Sequence, residues 1–277
     1  MKEMGWLMST DMSPRPASLF NVIGASLDLG PLPRNMAYIS ITKKRIRVLI
    51  TTITNILKRG TLGSGEAASL AGKLGFSLAA VFGRTGRARV RPILRRAYSY
   101  IKVITPDIRI TLGWWLKFLQ EYVPRPIPHS LKELPCIVSY SDGEGGDAGV
   151  GVALWAPWLD KPLAAYCEVP KRIRELWAQA AGKENYRDIS LIEAVGPLIL
   201  LTTFPRVMCN CLWLNFIDNA GAEASLLKGS SAIGTGGHVV GLTWTLIERN
   251  RLWPYFDRVS SKSNPVDGLS RGEFNAP

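Results

Sequence analysis

Two histidines and four cysteines are a thin supply of the side chains that carry most zinc and nucleophilic chemistry. The cysteines (Cys136, Cys167, Cys209 and Cys211) form no Cys-x-x-Cys pair and have no histidine at ligand spacing. Neither a zinc site nor a disulfide framework is expected from them; buried thiols in a reducing compartment are. No serine or cysteine stands in a nucleophile-elbow or triad setting. His129 reads as exposed, and His238, after the GTGG stretch, as part of a mobile loop. Long apolar runs are missing as well. The longest, 195–204, is too short to span a bilayer and contains Pro197. The first twenty residues lack the apolar stretch of a secretory signal. The chain is therefore expected inside the cell, in cytoplasm or nucleus, neither secreted nor in a membrane. No internal repeat is apparent.

Acidic residues are scarce in the first half and plentiful in the second. Up to residue 135 there are 7 Asp+Glu against 21 Lys+Arg; from 136 onward there are 15 against 13. The whole chain of 277 residues carries a formal charge of +12, which points to a polyanionic partner, nucleic acid or an acidic surface. No basic amphipathic helix with a bulky apolar face stands out, so nucleic acid is preferred to a membrane. With 47% hydrophobic and 20% charged residues, the composition is that of a globular protein.

Periodicity divides the chain further. Residues 1–35 show no sustained period, apart from FNVIGASLDL, which reads as a strand pair around Gly24. From Thr42 the apolar residues recur at spacings of three and four, predicting a helix that Gly60 ends. A second helix is predicted after Ser64 toward Phe82, and a third over 112–122. Between these last two lie Arg84, Arg87, Arg89, Arg91, Arg95 and Arg96. The proline-rich segment VPRPIP reads as a linker closing a basic, mainly helical region over 36–128. Beyond it, 136–141, Gly149–Trp155 and 163–169 read as a three-stranded meander. Helices over 173–181 and 190–203, a strand over 211–217, helices at Ala220–Lys228 and 239–250, and a strand over 253–259 complete a second unit, 129–277. The fold class expected is α/β, with a mixed sheet covered by helices.

Four carboxylates stand out on that map. Asp142 ends the first strand of the second unit in SYSDGEGG, and Asp218 ends the fourth in NFIDNAG. If those strands are parallel neighbours, the two aspartates face each other across about 4.8 Å. Ionised groups that close repel unless a cation lies between them. Glu193 sits in an apolar helix, SLIEAVGPL, where an unpaired charge is costly. Pro197 removes the helical bond to the Glu193 carbonyl, so the helix either kinks there or starts after Glu193. In SNPVDGLSRG, Asn264 as N-cap and Pro265 as first helical residue place Asp267 in a first turn. Four such acids meeting at one point suit two Mg²⁺ (or Mn²⁺) ions and phosphodiester hydrolysis by water. Glu144 and Asp147 read as solvated turn residues.

The segments SYSDGEGGDAGVGVALW, ISLIEAVGPL, LWLNFIDNAGAEASLLKGSS and RVSSKSNPVDGLSRG, in that order, resemble the ribonuclease H domains of retroelement reverse transcriptases, especially DIRS-type elements. The resemblance implies a five-stranded mixed sheet of order 3-2-1-4-5. It also implies that Asp142, Glu193, Asp218 and Asp267 are the metal-binding quartet of an endonuclease that cuts RNA in RNA–DNA hybrids. The upstream LGSGEAASLAGKLGFSLAAVFGRTGRARVRPILRRAY is similar to the region connecting polymerase and ribonuclease H, and FNVIGASLDL resembles the end of the polymerase palm. Residues 1–35 would then be a palm or thumb remnant, and a reverse transcriptase polymerase domain a partner. No YxDD sequence occurs, so polymerase activity is not expected. The six arginines, beside Tyr98 and Tyr100, are expected to contact nucleic acid through its phosphates. A catalytically inactive hybrid-binding module and a DNA-cutting integrase- or resolvase-like enzyme are the alternatives.

Overall fold

The apolar stripe after Thr42 forms α1 (Lys43–Arg59), burying Leu49, Ile53 and Ile56. The Thr42 side chain accepts a hydrogen bond from the Arg45 amide at its start, and Gly60, at φ 71°, closes it with a bond to the Ile56 carbonyl. The chain is described by a computed structural model covering residues 18–22, 25–29, 36–78, 80, 84–182, 189–231 and 236–274. Gly24, Phe82 and the first two residues of GTGG, 234–235, lie outside the described residues.

FNVIGASLDL does form a strand pair, β1 (Leu19–Val22) and β2 (Ala25–Asp28), which continues into β3 (Met36–Ile41). Residues 19–22 and 25–28 are thus hydrogen-bonded into the same sheet as the start of the region expected to be helical. Three further helices follow α1: α2 (Ser64–Leu78), α3 (Arg87–Ala97) and α4 (Pro106–Gln120). The last begins six residues before its expected start because Thr105 and Pro106 supply the N-cap and first-turn positions.

VPRPIP is not a linker. Arg125–Pro128 is β4, antiparallel to β3 with Ile39 opposite Arg125 and Met36 opposite Pro128. It lies at the sheet edge, in the order β1-β2-β3-β4. Proline has no amide to donate, and an edge strand is where a sheet tolerates that. The composition that suggests a linker is here the signature of an edge.

The second sheet is mixed: β5 (Cys136–Gly143), β6 (Gly149–Trp155), β7 (Leu163–Glu168), β8 (Leu212–Ile217) and β9 (Trp253–Arg258), in the order β7-β6-β5-β8-β9. The first three form the antiparallel meander, while β8 runs parallel to both β5 and β9. Its helices are α5 (Lys171–Ala181), α6 (Ile189–Thr203), α7 (Ala220–Lys228), α8 (Gly236–Arg249) and the short α9 (Asp267–Ser270). His238 belongs to α8, not to a mobile loop, because the helix starts at Gly236. The buried apolar side chains fall into two clusters, one drawn from residues 41–119 and one from 137–256. No helix among the described residues is long and apolar enough to cross a membrane.

Candidate metal centre

The register between β5 and β8 sets the site. Ser139 lies opposite Asn215, and the buried Ser139 hydroxyl donates to Asn215 Oδ1 (2.7 Å) while accepting from Trp213 Nε1 (2.7 Å). This polar cluster pins two parallel strands that apolar packing alone would leave free to slip. One residue on, Tyr140 stacks on its partner Phe216, and two positions beyond that pair come Asp142 and Asp218. The two aspartates therefore stand at the same end of the parallel pair, Asp142 still paired with Gly151 of β6 and Asp218 just beyond β8. After Asp218 the chain turns at once into α7, because the Asn219 side chain accepts from the amides of Gly221 and Ala222.

Glu193 arrives from α6. The helix starts at Ile189, ahead of Glu193, and runs through Pro197, which decides between the two alternatives that the proline leaves open. Two glycines let α6 approach β5 closely. A Cβ on Gly196 would lie 2.4 Å from the Ser141 Cβ, and one on Gly143 would lie 2.9 Å from the Glu193 amide nitrogen. Oxygens of Asp142, Glu193 and Asp218 lie within 4.8 Å of one another. Burial, then the charges of Asp218 and Asp142, pushes the Glu193 carboxyl up to about 10. Burial is likewise the main reason that Asp142 is raised to about 6, opposed by a hydrogen bond from Ser270.

The fourth acid is placed differently. Asp267 lines the same pocket, yet it stands outside the close triad and its Oδ1 accepts from Arg271 Nη2 at 2.7 Å. Asp267 does stand in the first turn of its helix, but that helix begins at Asp267 itself, not at Pro265, with Val266 and not Asn264 at the position before it. The buried Asn264 amide donates to the Ser141 carbonyl (3.1 Å), and its Oδ1 accepts from the Val266 amide (3.3 Å). Ser270 donates to Asp142 Oδ2. Asn264 and Ser270 are the site residues that sequence reasoning misses; their signal is only that they sit in the same motif as Asp267.

No family model and no curated protein matches the chain.

The donor set by itself says what the site can hold. Glu193 Oε2 and Asp218 Oδ1 are buried without a hydrogen-bond partner, and orphaned carboxylate oxygens are costly unless a cation or a proton satisfies them. Arg271, the cation that bears on Asp142, is already bonded to Asp267. Three converging carboxylates fit a hard divalent cation, so this cluster can hold a metal ion.

The six arginines are not equivalent. Arg96 is 4% exposed and donates to the carbonyls of Ile101 and Val103, so it braces a loop and is closed to a ligand. Arg84 lies over the Trp244 ring, and Arg87 donates to the Lys228 carbonyl at 3.2 Å. Arg89, Arg91 and Arg95 line a cavity with His238. Tyr98 and Tyr100 are exposed, as is His129. Glu144 caps its turn, accepting from the amides of Gly146 and Asp147.

Proposed function

We propose that residues 129–277 are a ribonuclease H-like domain, a metal-dependent endonuclease that hydrolyses the RNA strand of an RNA–DNA hybrid. The observation that carries this reading is the meeting of Asp142, Glu193 and Asp218 at one end of the parallel pair β5–β8. A sheet of order 3-2-1-4-5 is compatible with that fold. Residues 36–128 are, in this reading, a basic connection region toward a reverse transcriptase polymerase domain.

Asp142, Glu193 and Asp218 would hold Mg²⁺ or Mn²⁺, with Asp267 at the rim completing the place of a second ion. When bound, such ions supply Lewis acidity at the phosphodiester and a more acidic attacking water. The chain's own residues prepare that chemistry. Ser270 holds the Asp142 carboxylate in one orientation, and burial of Glu193 keeps bulk water from its side of the cluster. Arg271 lines the pocket and sets a positive charge where an incoming phosphate passes. The arrangement needs no histidine and no side-chain nucleophile.

Incubating labelled RNA–DNA hybrid, duplex RNA and duplex DNA with the protein and Mg²⁺ or Mn²⁺ tests the reading. Cleavage of the hybrid alone is expected, with Asp142→Asn and Asp218→Asn each abolishing it while circular dichroism stays unchanged. Full activity in either variant, or cutting of duplex DNA with the hybrid left whole, overturns it. A second reading, an inactive hybrid-binding module, is favoured by one observation: Asp267 stands apart from the triad and is paired with Arg271. It expects hybrid binding with no cleavage in either metal.

A further inference from the structure

The arginine run of the sequence separates in space into braces and a lining. Arg84, Arg87 and Arg96 are engaged with the protein, and Arg89 lies over the Trp114 ring while it lines the cavity. Arg89, Arg91 and Arg95 of α3 line one cavity of about 270 Å³, which Asp107 of α4, His238 of α8 and Ser231 also line. Among the described residues none of these three arginines forms an ion pair. Arg89 is only partly exposed, its Nε is buried without a hydrogen-bond partner, and Asp107 is the one carboxylate that bears on it. Three guanidinium groups around one carboxylate leave an excess of positive charge in a concave, partly desolvated place, where a charge-assisted bond to an anion is stronger than at an open surface.

This cavity does not stand alone. Arg91 and Ser231 also line a neighbouring cavity of about 370 Å³, together with Ser190 and Gly221. The carboxylate pocket is lined by Ile189, next to Ser190 in α6, and by Asn219, the cap residue of α7, two positions before Gly221. The first two cavities thus share Arg91 and Ser231, and the second lies against α6 and α7, the helices that also border the pocket of the three acids. A free phosphate would need only one of them; a polymer with a phosphate at every step matches the series.

We propose that the Arg89–Arg91–Arg95 cavity is a seat for one backbone phosphate of a nucleic acid whose other end reaches the carboxylate cluster. The proposal rests on the nucleic-acid partner of the preceding reading, but not on catalysis. The planar, forked guanidinium suits a phosphodiester through paired N–H bonds, and such a contact positions the strand without reading its sequence.

Binding of a fluorescent RNA–DNA hybrid, measured by anisotropy in EDTA across a salt series, keeps cleavage out of the experiment. Arg91→Gln with Arg95→Gln, and the exposed Arg95→Gln alone, should weaken binding of all hybrid sequences alike. For the double variant the log–log salt slope should be shallower by about 1, the loss of one phosphate contact. Lys43→Gln with Lys44→Gln removes the same charge from α1, which does not line the cavity, and should leave the slope as it is. Equal slopes in all four proteins overturn the inference, as does orthophosphate that binds the wild type at the cavity while hybrid affinity ignores the substitutions. If the wild type binds no hybrid at all, this proposal and the functional reading fall together. If hybrid binding depends on the arginines but no metal supports cleavage, the seat stands and the nuclease reading falls.

Discussion

Glu193 is a carboxyl group where an isolated carboxylate would not stay ionised: buried, beside two aspartates, and raised from 4.5 to about 10. Asp142 is raised from 3.8 to about 6. Both folded values stand above the unfolded ones, so between them the folded chain binds more protons than the unfolded chain. The stability contributed is fully present below about pH 4 and is lost as pH rises through about 6 for Asp142 and about 10 for Glu193. A divalent cation reverses the sign by favouring the ionised forms. Adding Mg²⁺ to metal-free protein is therefore expected to raise the thermal midpoint more near pH 8 than near pH 5, by differential scanning calorimetry. Glu193→Gln should raise the metal-free midpoint near pH 8 and remove most of the gain from Mg²⁺. A gain independent of pH would mean that the ion binds elsewhere.

At the scale of elements, glycine decides how closely the pieces of the site can pack. Gly149 and Gly151 of β6 lie under the backbone of α9: an added Cβ would meet the Ser270 carbonyl oxygen at 2.2 Å and the Ser270 amide at 2.6 Å. The GVGV pattern is thus more than a strand; its glycines are the floor on which α9 rests, and α9 brings Ser270 to Asp142. Gly151→Ala is expected to cost about 1–3 kcal/mol through overpacking and to weaken Mg²⁺ binding, read from urea midpoints and titration calorimetry. Gly113→Ala, in α4 with nothing within 4 Å of the new Cβ, should be neutral or stabilising by up to about 1 kcal/mol. Strand and helix identities were legible in the sequence where periodicity was strong, as in α1 and α7. Less legible were edges and caps, since β4 reads as a linker and α4 as a shorter helix until their partners are seen.

For the molecule as a whole, the Arg125–Glu248 pair fastens the first sheet to the second unit. Arg125 is 5% exposed, donates to Glu248 Oε2 at 2.9 Å and to the Leu252 carbonyl, and lies over the Trp253 ring. Removing one partner of a buried pair leaves the other charge stranded, typically at about 3–5 kcal/mol. Arg125→Ala is expected to destabilise by that order and to split thermal unfolding into two transitions, as the two hydrophobic clusters lose their polar clasp. Replacing both residues, Arg125→Met with Glu248→Met, should recover much of the loss. A single unshifted transition in Arg125→Ala would show that the halves are held without this pair.

The sequence by itself determined the α/β alternation, the meander, and the positions of Asp142 and Asp218 at strand ends, because period and turn chemistry act over a few residues. It also carried the charge asymmetry between the halves. Only tertiary structure decided that β5 and β8 are parallel neighbours, that Glu193 joins the two aspartates while Asp267 pairs with Arg271, and that Arg96 faces inward as Arg91 lines a cavity. Those outcomes depend on which surfaces meet across long stretches of chain, and no local pattern encodes the approach that a buried hydroxyl or a missing Cβ allows.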